Sequence, residues 1–510
     1  MSRQLIIRGM RCLLPFRLCF LAALLPVLFG QGVFFRGASV IDGTGANARR
    51  VDVRVQGDRI VAVGEKAVPA RGDEIVDGDS MILAPGFIDL HNHSDRGLKD
   101  EPRATSQVSQ GITTAVLGMD GGSPFPIAAW IASRRATPVA INTLLMVGHA
   151  TVRTKVMGTD FRRRATAREI DSMATLVDQA MREGAIGLSS GLEYEVGSYS
   201  STEEVVALAK VAARYGGIYM THIRDEADLT FNALEEVLRI AREASIPAHI
   251  SHIKLGTVGV WGKAPQVVAM IEKARAAGLD ITADCYPYDA WSSTITVLIP
   301  NKQYEDPASV QKGLDDVGGP QNVLVTNCRE HRDYEFKNLE EIAKMTHKSA
   351  VDVFIEIVRS GGASVVGKTM KEADMKILYQ QPWVLVASDG GIGMRHPRAS
   401  GTFPKVLGSY VREEHWLELS EAVRKMTLAP AQRIGLRDRG VIREGAFADL
   451  VLFDPKQIRD QSTFADPAKL SRGVRQVLVN GKTVWKLDSA SGVLSGRVVS
   501  GDELLSRRRP

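Results

Sequence analysis

The stretch ILAPGFIDLHNHSD (82–95) sets the expected architecture of this chain. It opens as a short apolar run of strand length and leads into two histidines, His91 and His93. Residues two apart on an extended strand point to the same face, so both imidazoles can reach one cation. The motif therefore predicts a buried strand with a metal-binding pair at its carboxyl end.

Seven further apolar runs follow, separated by segments with helical periodicity. They are GITTAVLG (111–118), INTLLMVGHA (141–150), AIGLSSG (185–191), GIYMTHI (217–223), IPAHISHI (246–253), LDITADCYPY (279–288) and PWVLVASDG (382–390). In the segment between the fourth and fifth runs, Ser201 and Glu204 have the spacing of a helix capping box. Eight strand and helix units predict an α/β fold, a (β/α)8 barrel whose site lies at the carboxyl ends of the strands.

The two ends of the globular part share a residue pattern that differs from that of the predicted barrel. GVFFRGASVIDGTG (32–45) and GVRQVLVNGKTVW (473–485) alternate β-branched and polar residues and break at glycine-rich turns, which is typical of strands and hairpins. We expect one small discontinuous β-sandwich domain, built from residues 31–84 and 436–500, beside a catalytic barrel of residues 85–435. The long gap before the eighth run predicts an insertion at about 298–380, near the mouth of the barrel.

Composition and charge exclude several classes of protein. A length of 510 residues predicts two to four domains, and 44% hydrophobic with 24% charged residues is typical of a soluble globular protein. The formal net charge is only +5, so nucleic acid is not an expected partner. The cysteines are Cys12, Cys19, Cys285 and Cys328, and this spacing supports neither a thiolate zinc knuckle nor a disulfide framework.

Residues 1–30 have the character of a targeting segment. Four arginines precede the apolar run LCFLAALLPVLFG (18–30), and residues 1–30 contain no acidic residue. This pattern predicts an export signal, and hence a periplasmic or extracellular protein. No small-x-small cleavage pattern closes the run, so an uncleaved membrane anchor is an alternative, as is a buried N-terminal helix of a cytoplasmic protein. Membrane contact is expected only through this segment.

Polar residues follow several of the predicted strands at the same edge of the barrel. His222 ends the fifth run, His252 the sixth and Asp389 the eighth. A single histidine is more often a structural residue than a ligand, but five metal-competent residues at one rim, with His91 and His93, indicate a binuclear metal site. His396 precedes a candidate substrate-binding arginine. The other remaining histidines are interpreted as structural, although one of them, His149, also follows a strand. They are His149, His249, His331, His347 and His415.

Several of these segments resemble one protein family. APGFIDLHNHSD (84–95), DCYPYDAWSST (284–294) and HPRASGTFPKVLG (396–408) are similar, in this order, to motifs of the amidohydrolase superfamily and of its D-aminoacylase, or N-acyl-D-amino-acid deacylase, branch. The resemblance extends over about residues 33–485. It implies one or two Zn²⁺ ions, other divalent metals being possible, held by His91, His93, His222, His252 and Asp389, with Asp389 also carrying the proton.

One position departs from the family pattern. Many D-aminoacylases have a cysteine ligand after the second strand, where this chain has Asp120 between Met119 and Gly121. A carboxylate can bridge two cations but prefers harder metals than a thiolate does. The superfamily's alternative bridge is a carboxylated lysine on the fourth strand, and GLSSGLEYE (187–195) contains no lysine. Glu193 in this segment is a rival to Asp120 as the bridging ligand. The alternative for Asp120 is a residue of the turn that contains Gly121.

The resemblance implies hydrolysis of the amide bond of N-acyl-D-amino acids, small molecules that carry a free carboxylate. Lys254, Tyr286 and Arg398 are the predicted carboxylate-binding residues, because a guanidinium pairs bidentately with a carboxylate. Arg224 is a further basic candidate that neighbouring acids can neutralise.

Two other functions stay open. A cyclic-amide hydrolase or a dipeptidase would share the metal centre, and a non-catalytic metal-binding barrel would share the fold. The missing strand-four lysine argues against the first, and the combination of Asp389 with Lys254 argues against the second. The acyl group, the preferred side chain and the oligomeric state do not follow from the sequence.

Overall fold

The computed structural model describes residues 32–501 and residue 504. The predicted export signal or anchor, residues 1–30, lies outside the described residues and stays a prediction. Within the described part of the chain, no helix combines the length and the apolar character that crossing a bilayer requires.

The described residues form strands β1 to β21 and α-helices α1 to α14. The strands are β1 (Val33–Val40), β2 (Arg49–Gln56), β3 (Arg59–Val63), β4 (Glu74–Asp77), β5 (Ile82–Pro85), β6 (Phe87–Asp89), β7 (Ile112–Leu117), β8 (Asn142–Leu145), β9 (Val147–Gly148), β10 (Gly187–Gly191), β11 (Ile218–His222), β12 (Ala248–Ile250), β13 (Ile281–Cys285), β14 (Trp291–Thr294), β15 (Val323–Asn327), β16 (Ser364–Gly367), β17 (Val384–Val386), β18 (Leu450–Phe453), β19 (Val474–Val479), β20 (Lys482–Lys486) and β21 (Ser489–Ala490). The helices are α1 (Thr105–Val108), α2 (Ile127–Ala136), α3 (His149–Met157), α4 (Ala167–Arg182), α5 (Thr202–Arg214), α6 (Thr230–Ala244), α7 (Ala264–Ala276), α8 (Pro307–Asp316), α9 (Leu339–Thr346), α10 (Ala350–Arg359), α11 (Glu372–Tyr379), α12 (Arg398–Lys405), α13 (Leu419–Met426) and α14 (Leu428–Ile434).

The predicted barrel is confirmed. Parallel pairing runs through β6, β7 and β8 in one group and through β9, β10, β11, β12, β13 and β17 in a second, and β8 leads almost directly into β9. The ring closes where Asn92 bridges in parallel to Gly390 and the His93 amide donates to the Gly390 carbonyl at 2.7 Å. The barrel strands are almost entirely buried, because helices cover their outer face and side chains fill the interior.

Both chain ends contribute to one nine-stranded sheet, as the discontinuous domain requires. Its order is β21-β20-β19-β18-β5-β1-β2-β3, with β4 paired to β1. The two halves meet where β5 pairs antiparallel with β18, with Ala84 opposite Val451. The first predicted run is therefore two strands, since β5 belongs to this sheet and β6 to the barrel. Gly86 separates them, and a Cβ there would meet the Thr113 side chain at 2.3 Å.

The insertion extends from β14 to β16, beginning earlier and ending earlier than the predicted 298–380. Its strands form an antiparallel sheet of order β14-β16-β15, and α8, α9 and α10 pack with it around a core of their own that includes Leu314, Val325 and Phe354. The following helix, α11, packs on α7 and is part of the barrel layer. The insertion is thus a small folded unit between the seventh and eighth barrel strands.

Helix α5 begins with only half of the predicted capping box. The Ser201 hydroxyl accepts a hydrogen bond from the Glu204 amide at 3.2 Å. The Glu204 carboxylate faces inward instead and accepts from His149 Nε2 at 2.8 Å and from Arg153. A buried histidine and arginine compete successfully for a carboxylate because an unpaired charge in the interior is expensive.

Candidate metal centre and substrate cavity

Four predicted ligands converge at the carboxyl rim of the barrel. His91 Nε2 lies 3.3 Å from His93 Nε2, 3.3 Å from Asp120 Oδ1 and 3.5 Å from Asp389 Oδ1. His93 Nε2 lies 3.4 Å from Asp120 Oδ2 and 3.2 Å from Asp389 Oδ1. Ligand atoms at about 2.0–2.1 Å from a tetrahedral cation are roughly 3.3 Å apart. The ligand atoms of His91, Asp120 and Asp389, together with one of His252, are close enough to one another to hold one cation, and His93 lies at the edge of this group.

A second pair of ligands lies beside this group. His222 Nδ1 and His252 Nε2 are 3.1 Å apart, and His252 Nε2 is 3.8 Å from Asp120 Oδ1. Asp120 thus stands between the His91 and His93 pair and the His222 and His252 pair. A carboxylate in this position can reach a cation on either side, and bridging by Asp120 stays a prediction.

The electrostatics of the cluster fit a cation. Asp120 Oδ1 is buried and has no well-directed hydrogen bond among the described residues. Burial opposes protonation of the His93 ring, but Asp120 and Asp389 outweigh it and raise the pKa of His93 to about 10. Burial and the Lys254 charge oppose protonation of His252, yet Glu226 and Asp389 raise its pKa to about 10 as well. The same surplus of buried negative charge stabilises a divalent metal.

The backbone at three of these positions is left-handed. Asp120 has φ 55°, His252 has φ 35° and Asp389 has φ 47°. Such values are uncommon for residues with a Cβ and occur mainly where the surrounding structure demands them. Gly191 allows the Asp120 loop to approach the fourth strand, since a Cβ there would lie 2.5 Å from the Asp120 carbonyl oxygen. The chain thus holds its candidate ligands in conformations that aim them inward.

Two buried carboxylates hold the strand ends in place. Asp89 accepts hydrogen bonds from the Ser388 amide at 2.9 Å and from Asn92 Nδ2 at 2.8 Å, which ties the first strand to the eighth. Asp284 accepts from the His252 amide at 2.8 Å and from His249 Nε2 at 2.8 Å. His249 is therefore a supporting residue, in agreement with its interpretation as structural.

Glu226 is a member of the site that sequence reasoning missed. Its carboxylate contacts Lys254 Nζ at 2.6 and 2.7 Å and His252 Nδ1 at 3.0 Å. His222, Glu226 and His252 are close enough to hold an ion, but the Lys254 ammonium lies 2.7 Å from His252 Nδ1 and would repel a cation there. Glu226 is better placed to balance the charge of Lys254 and to accept a hydrogen bond from Nδ1–H of His252, which leaves Nε2 of His252 for the metal. In the sequence, the segment THIRDE (221–226) places Glu226 four residues after His222, and this spacing was the signal that could have identified Glu226 as part of the site.

Glu193 and Tyr194 contact His222 from different sides. Glu193 Oε2 lies 2.7 Å from His222 Nε2, the ring nitrogen remote from the one that faces His252. The Tyr194 hydroxyl lies 3.2 Å from His222 Nδ1. Glu193 is thus placed to orient His222, whereas Asp120 is the carboxylate that lies between the two histidine pairs.

The predicted carboxylate-binding residues lie together next to Asp389. Arg398 Nη1 pairs with Asp389 Oδ2 at 2.8 Å, and the Arg398 guanidinium lies 4.7 Å from the centre of the Tyr286 ring. Lys254 Nζ is 5.8 Å from the same ring centre. The Tyr286 hydroxyl is buried and has no hydrogen-bond partner among the described residues. His396 Nδ1 accepts from the Arg398 amide at 3.0 Å and so fixes the start of α12.

Burial raises the pKa of Asp389, but the charge of Arg398, followed by those of His252 and His91, outweighs it and holds that pKa well below its usual range. The carboxylate is therefore ionised at neutral pH. Arg224, the further basic candidate, is bound to Glu236 at 2.7 and 2.8 Å.

Two connected spaces open onto the centre. A cavity of about 630 Å³ is lined by Lys254, Arg398 and His252 and by residues of the insertion. A wider cleft of about 1710 Å³ is lined by His93 and Asp120 and shares Arg398 and Asp389 with the cavity. A substrate amide at the centre can therefore place its two ends in different spaces.

A closed barrel with histidine and aspartate side chains at its rim defines a metal-dependent hydrolase, and the comparisons with known proteins agree. Residues 74–485 match the model of the amidohydrolase family. D-aminoacylase of Alcaligenes xylosoxydans xylosoxydans is 36% identical over 489 residues, covering 91% of this chain and 96% of that protein. N-acyl-D-aspartate deacylase of the same organism is 35% identical over 495 residues, covering 92% and 95%.

A solved structure is also similar to this chain in sequence and in fold. N-acyl-D-glutamate deacylase from Bordetella bronchiseptica, in complex with zinc and a phosphonate inhibitor, superposes with a TM-score of 0.83 at 33% identity and covers 92% of this chain and 99% of its own. The chain belongs to the amidohydrolase family. Within that family it is similar to the D-aminoacylases, and the N-acyl-D-glutamate deacylase that shares its fold was solved with bound zinc.

Proposed function

We propose that this protein hydrolyses the amide bond of N-acyl-D-amino acids, giving a free D-amino acid and a carboxylate. The observation that carries the proposal is the position of Asp389. One of its oxygens lies 3.2 Å from His93 Nε2 in the ligand cluster, and the other lies 2.8 Å from Arg398 in the cavity. A single carboxylate thus links the metal centre to a guanidinium suited to a substrate carboxylate. The similarity to three deacylases of this substrate class supports the proposal.

The proposed ligands are His91, His93, Asp120, His222, His252 and Asp389. When bound there, a zinc ion or a pair of zinc ions would supply Lewis acidity and would lower the pKa of a coordinated water to about 7. Asp389 takes the proton that is lost when water attacks the carbonyl carbon, and it delivers that proton to the amide nitrogen as the C–N bond breaks. Arg398, Lys254 and the Tyr286 hydroxyl hold the substrate carboxylate and orient the amide towards Asp389.

The test is a substrate panel on the zinc-loaded full-length protein. N-acetyl-D-amino acids should be hydrolysed far faster than their L-enantiomers, and chelation of the metal should abolish the activity. Preferential hydrolysis of cyclic amides or of dipeptides would contradict the proposal, and metal binding without any hydrolysis would favour a binding protein.

Export is a separate proposal that rests on the sequence of residues 1–30 alone. Fractionation of cells that produce the full chain tests it, since an exported protein accumulates outside the cytoplasm and a form lacking residues 1–30 does not.

A further inference from the structure

We propose that the substrate's amino-acid side chain lies against an uncharged apolar wall of the narrower cavity, so that the enzyme prefers apolar D-amino acids to D-aspartate and D-glutamate. The inference rests on the proposed function and names the substrate class within it. Overall similarity does not make this choice, because the three relatives differ in name by the side chain and lie within 33–36% identity of this chain.

The cavity identifies where the side chain goes. Lys254 lines the narrower cavity and not the wider cleft, whereas Arg398 lines both. A carboxylate held between these two cations therefore brings the Cα atom, and the side chain on it, into the narrower cavity. The acyl group then extends to the other side of the metal centre, into the wider cleft beside His93 and Asp120.

The narrower cavity has an apolar wall that comes mainly from the insertion. This wall consists of Ala227, Val297, Leu298, Pro300 and Val317, and the hydroxyl groups of Thr257, Ser292 and Ser293 add to the lining beside it. Leu298 is 5% exposed and Val317 is 3% exposed, so both are fixed by packing in the insertion's own core. Apolar surface in this place stabilises an apolar side chain because both surfaces are removed from water.

The cationic side chains that line this cavity already form ion pairs. Among the described lining residues they are Lys254 and Arg398, which pair with Glu226 at 2.6 Å and with Asp389 at 2.8 Å. Both lie at the metal end, where the proposed function assigns them to the substrate's α-carboxylate. A second carboxylate on the side chain would therefore be desolvated without a counter-ion, which is strongly unfavourable.

Negative charge along the same cavity adds to this exclusion. Asp316 lines the cavity and pairs with Lys312 at 2.7 Å, but the same ammonium also contacts Asp228 at 3.1 Å. Two carboxylates thus share one ammonium, and their surplus charge repels an acidic side chain. The other cations near the mouth, Arg96, Lys302 and Arg395, line the wider cleft instead.

The test compares kcat/KM of the zinc-loaded full-length protein for N-acetyl-D-leucine, N-acetyl-D-aspartate and N-acetyl-D-glutamate. We expect the leucine derivative to be favoured by at least about 100-fold, as when a charged group must enter a pocket that offers it no partner. A preference for either acidic substrate would overturn the inference while leaving the proposed function intact. Hydrolysis of none of the three would overturn the proposed function itself.

Placing a cation in the wall tests the location. Leu298→Lys should raise kcat/KM for N-acetyl-D-glutamate relative to N-acetyl-D-leucine by at least about tenfold, because it supplies the missing counter-ion. Val297→Lys, at a half-buried position that lines both the narrower cavity and the wider cleft, is the second variant in case a buried lysine at 298 impairs folding. Met345→Lys adds the same charge to an exposed position of the insertion that lines neither space, and it should leave the ratio unchanged. If folded 297 and 298 variants both retain the parent ratio, the side chain does not lie against this wall.

Discussion

Replacing Glu226 with glutamine should weaken zinc binding although Glu226 is not a proposed ligand. The substitution keeps the shape of the side chain and removes the charge that lies 2.6 and 2.7 Å from Lys254 and 3.0 Å from His252 Nδ1. Carboxylates that accept from a metal-bound histidine typically account for a 10–100-fold change in metal affinity. This range corresponds to about 1.4–2.7 kcal/mol of binding free energy.

The same variant should also lower the stability of the metal-free protein. The Glu226 side chain is 13% exposed and that of Lys254 is 4% exposed, so the substitution leaves an ammonium buried without its counter-ion. Removing one partner of a buried pair typically costs about 3–5 kcal/mol. Glu226→Gln combined with Lys254→Met should recover much of this loss, because the unpaired charge is then gone.

Zinc affinity measured by competition with a coloured chelator, and the thermal midpoint of the metal-free protein, are the two readouts. Glu236→Gln is the matched control: Glu236 has a 9% exposed side chain and pairs with Arg224, which is not a proposed ligand or substrate contact. The control should lose stability and keep its zinc affinity. If Glu226→Gln binds zinc as tightly as the parent protein, Glu226 does not position His252 and the reasoning fails.

Three further predictions concern the proposed ligands and the substrate contacts. His222→Ala or His252→Ala should reduce the zinc content of the purified protein and abolish hydrolysis, because no neighbouring group replaces a whole imidazole; full metal content with parental turnover would disprove the ligand assignment. Asp389→Asn should retain part of the metal and lose most turnover, since an amide accepts no proton at neutral pH, and kcat within a few-fold of the parent would exclude Asp389 as proton carrier. Arg398→Ala should raise KM for N-acetyl-D-amino acids far more than for their carboxamides, with Arg398→Lys restoring only part of the loss. It should also lower kcat on both, because Arg398 pairs with Asp389 at 2.8 Å; equal KM changes on acid and amide would make Arg398 purely structural.

The barrel and the composition of its rim were predictable from the sequence. Strand periodicity and apolar runs are local properties, and the residue that ends a parallel strand is bound to lie at the carboxyl rim once the barrel closes. His91, His222 and His252 therefore come together in the structure as their places in the chain indicated. The pairing of the two chain ends in one sheet was predictable for the same reason, because both carry the same alternating pattern.

Contacts between side chains that are distant in the sequence were not predictable in this way. The place of Lys254 two residues after His252 was readable from the sequence, but its pairing with Glu226, 28 residues earlier in the chain, was not. Glu204 fits a capping box by spacing, yet it turns to His149, 55 residues away. The apolar wall of the cavity combines Ala227, in the loop between β11 and α6, with Val317 of the insertion. A buried side chain contacts the partner that best compensates its charge or covers its apolar surface, and that partner depends on how distant segments pack rather than on local sequence.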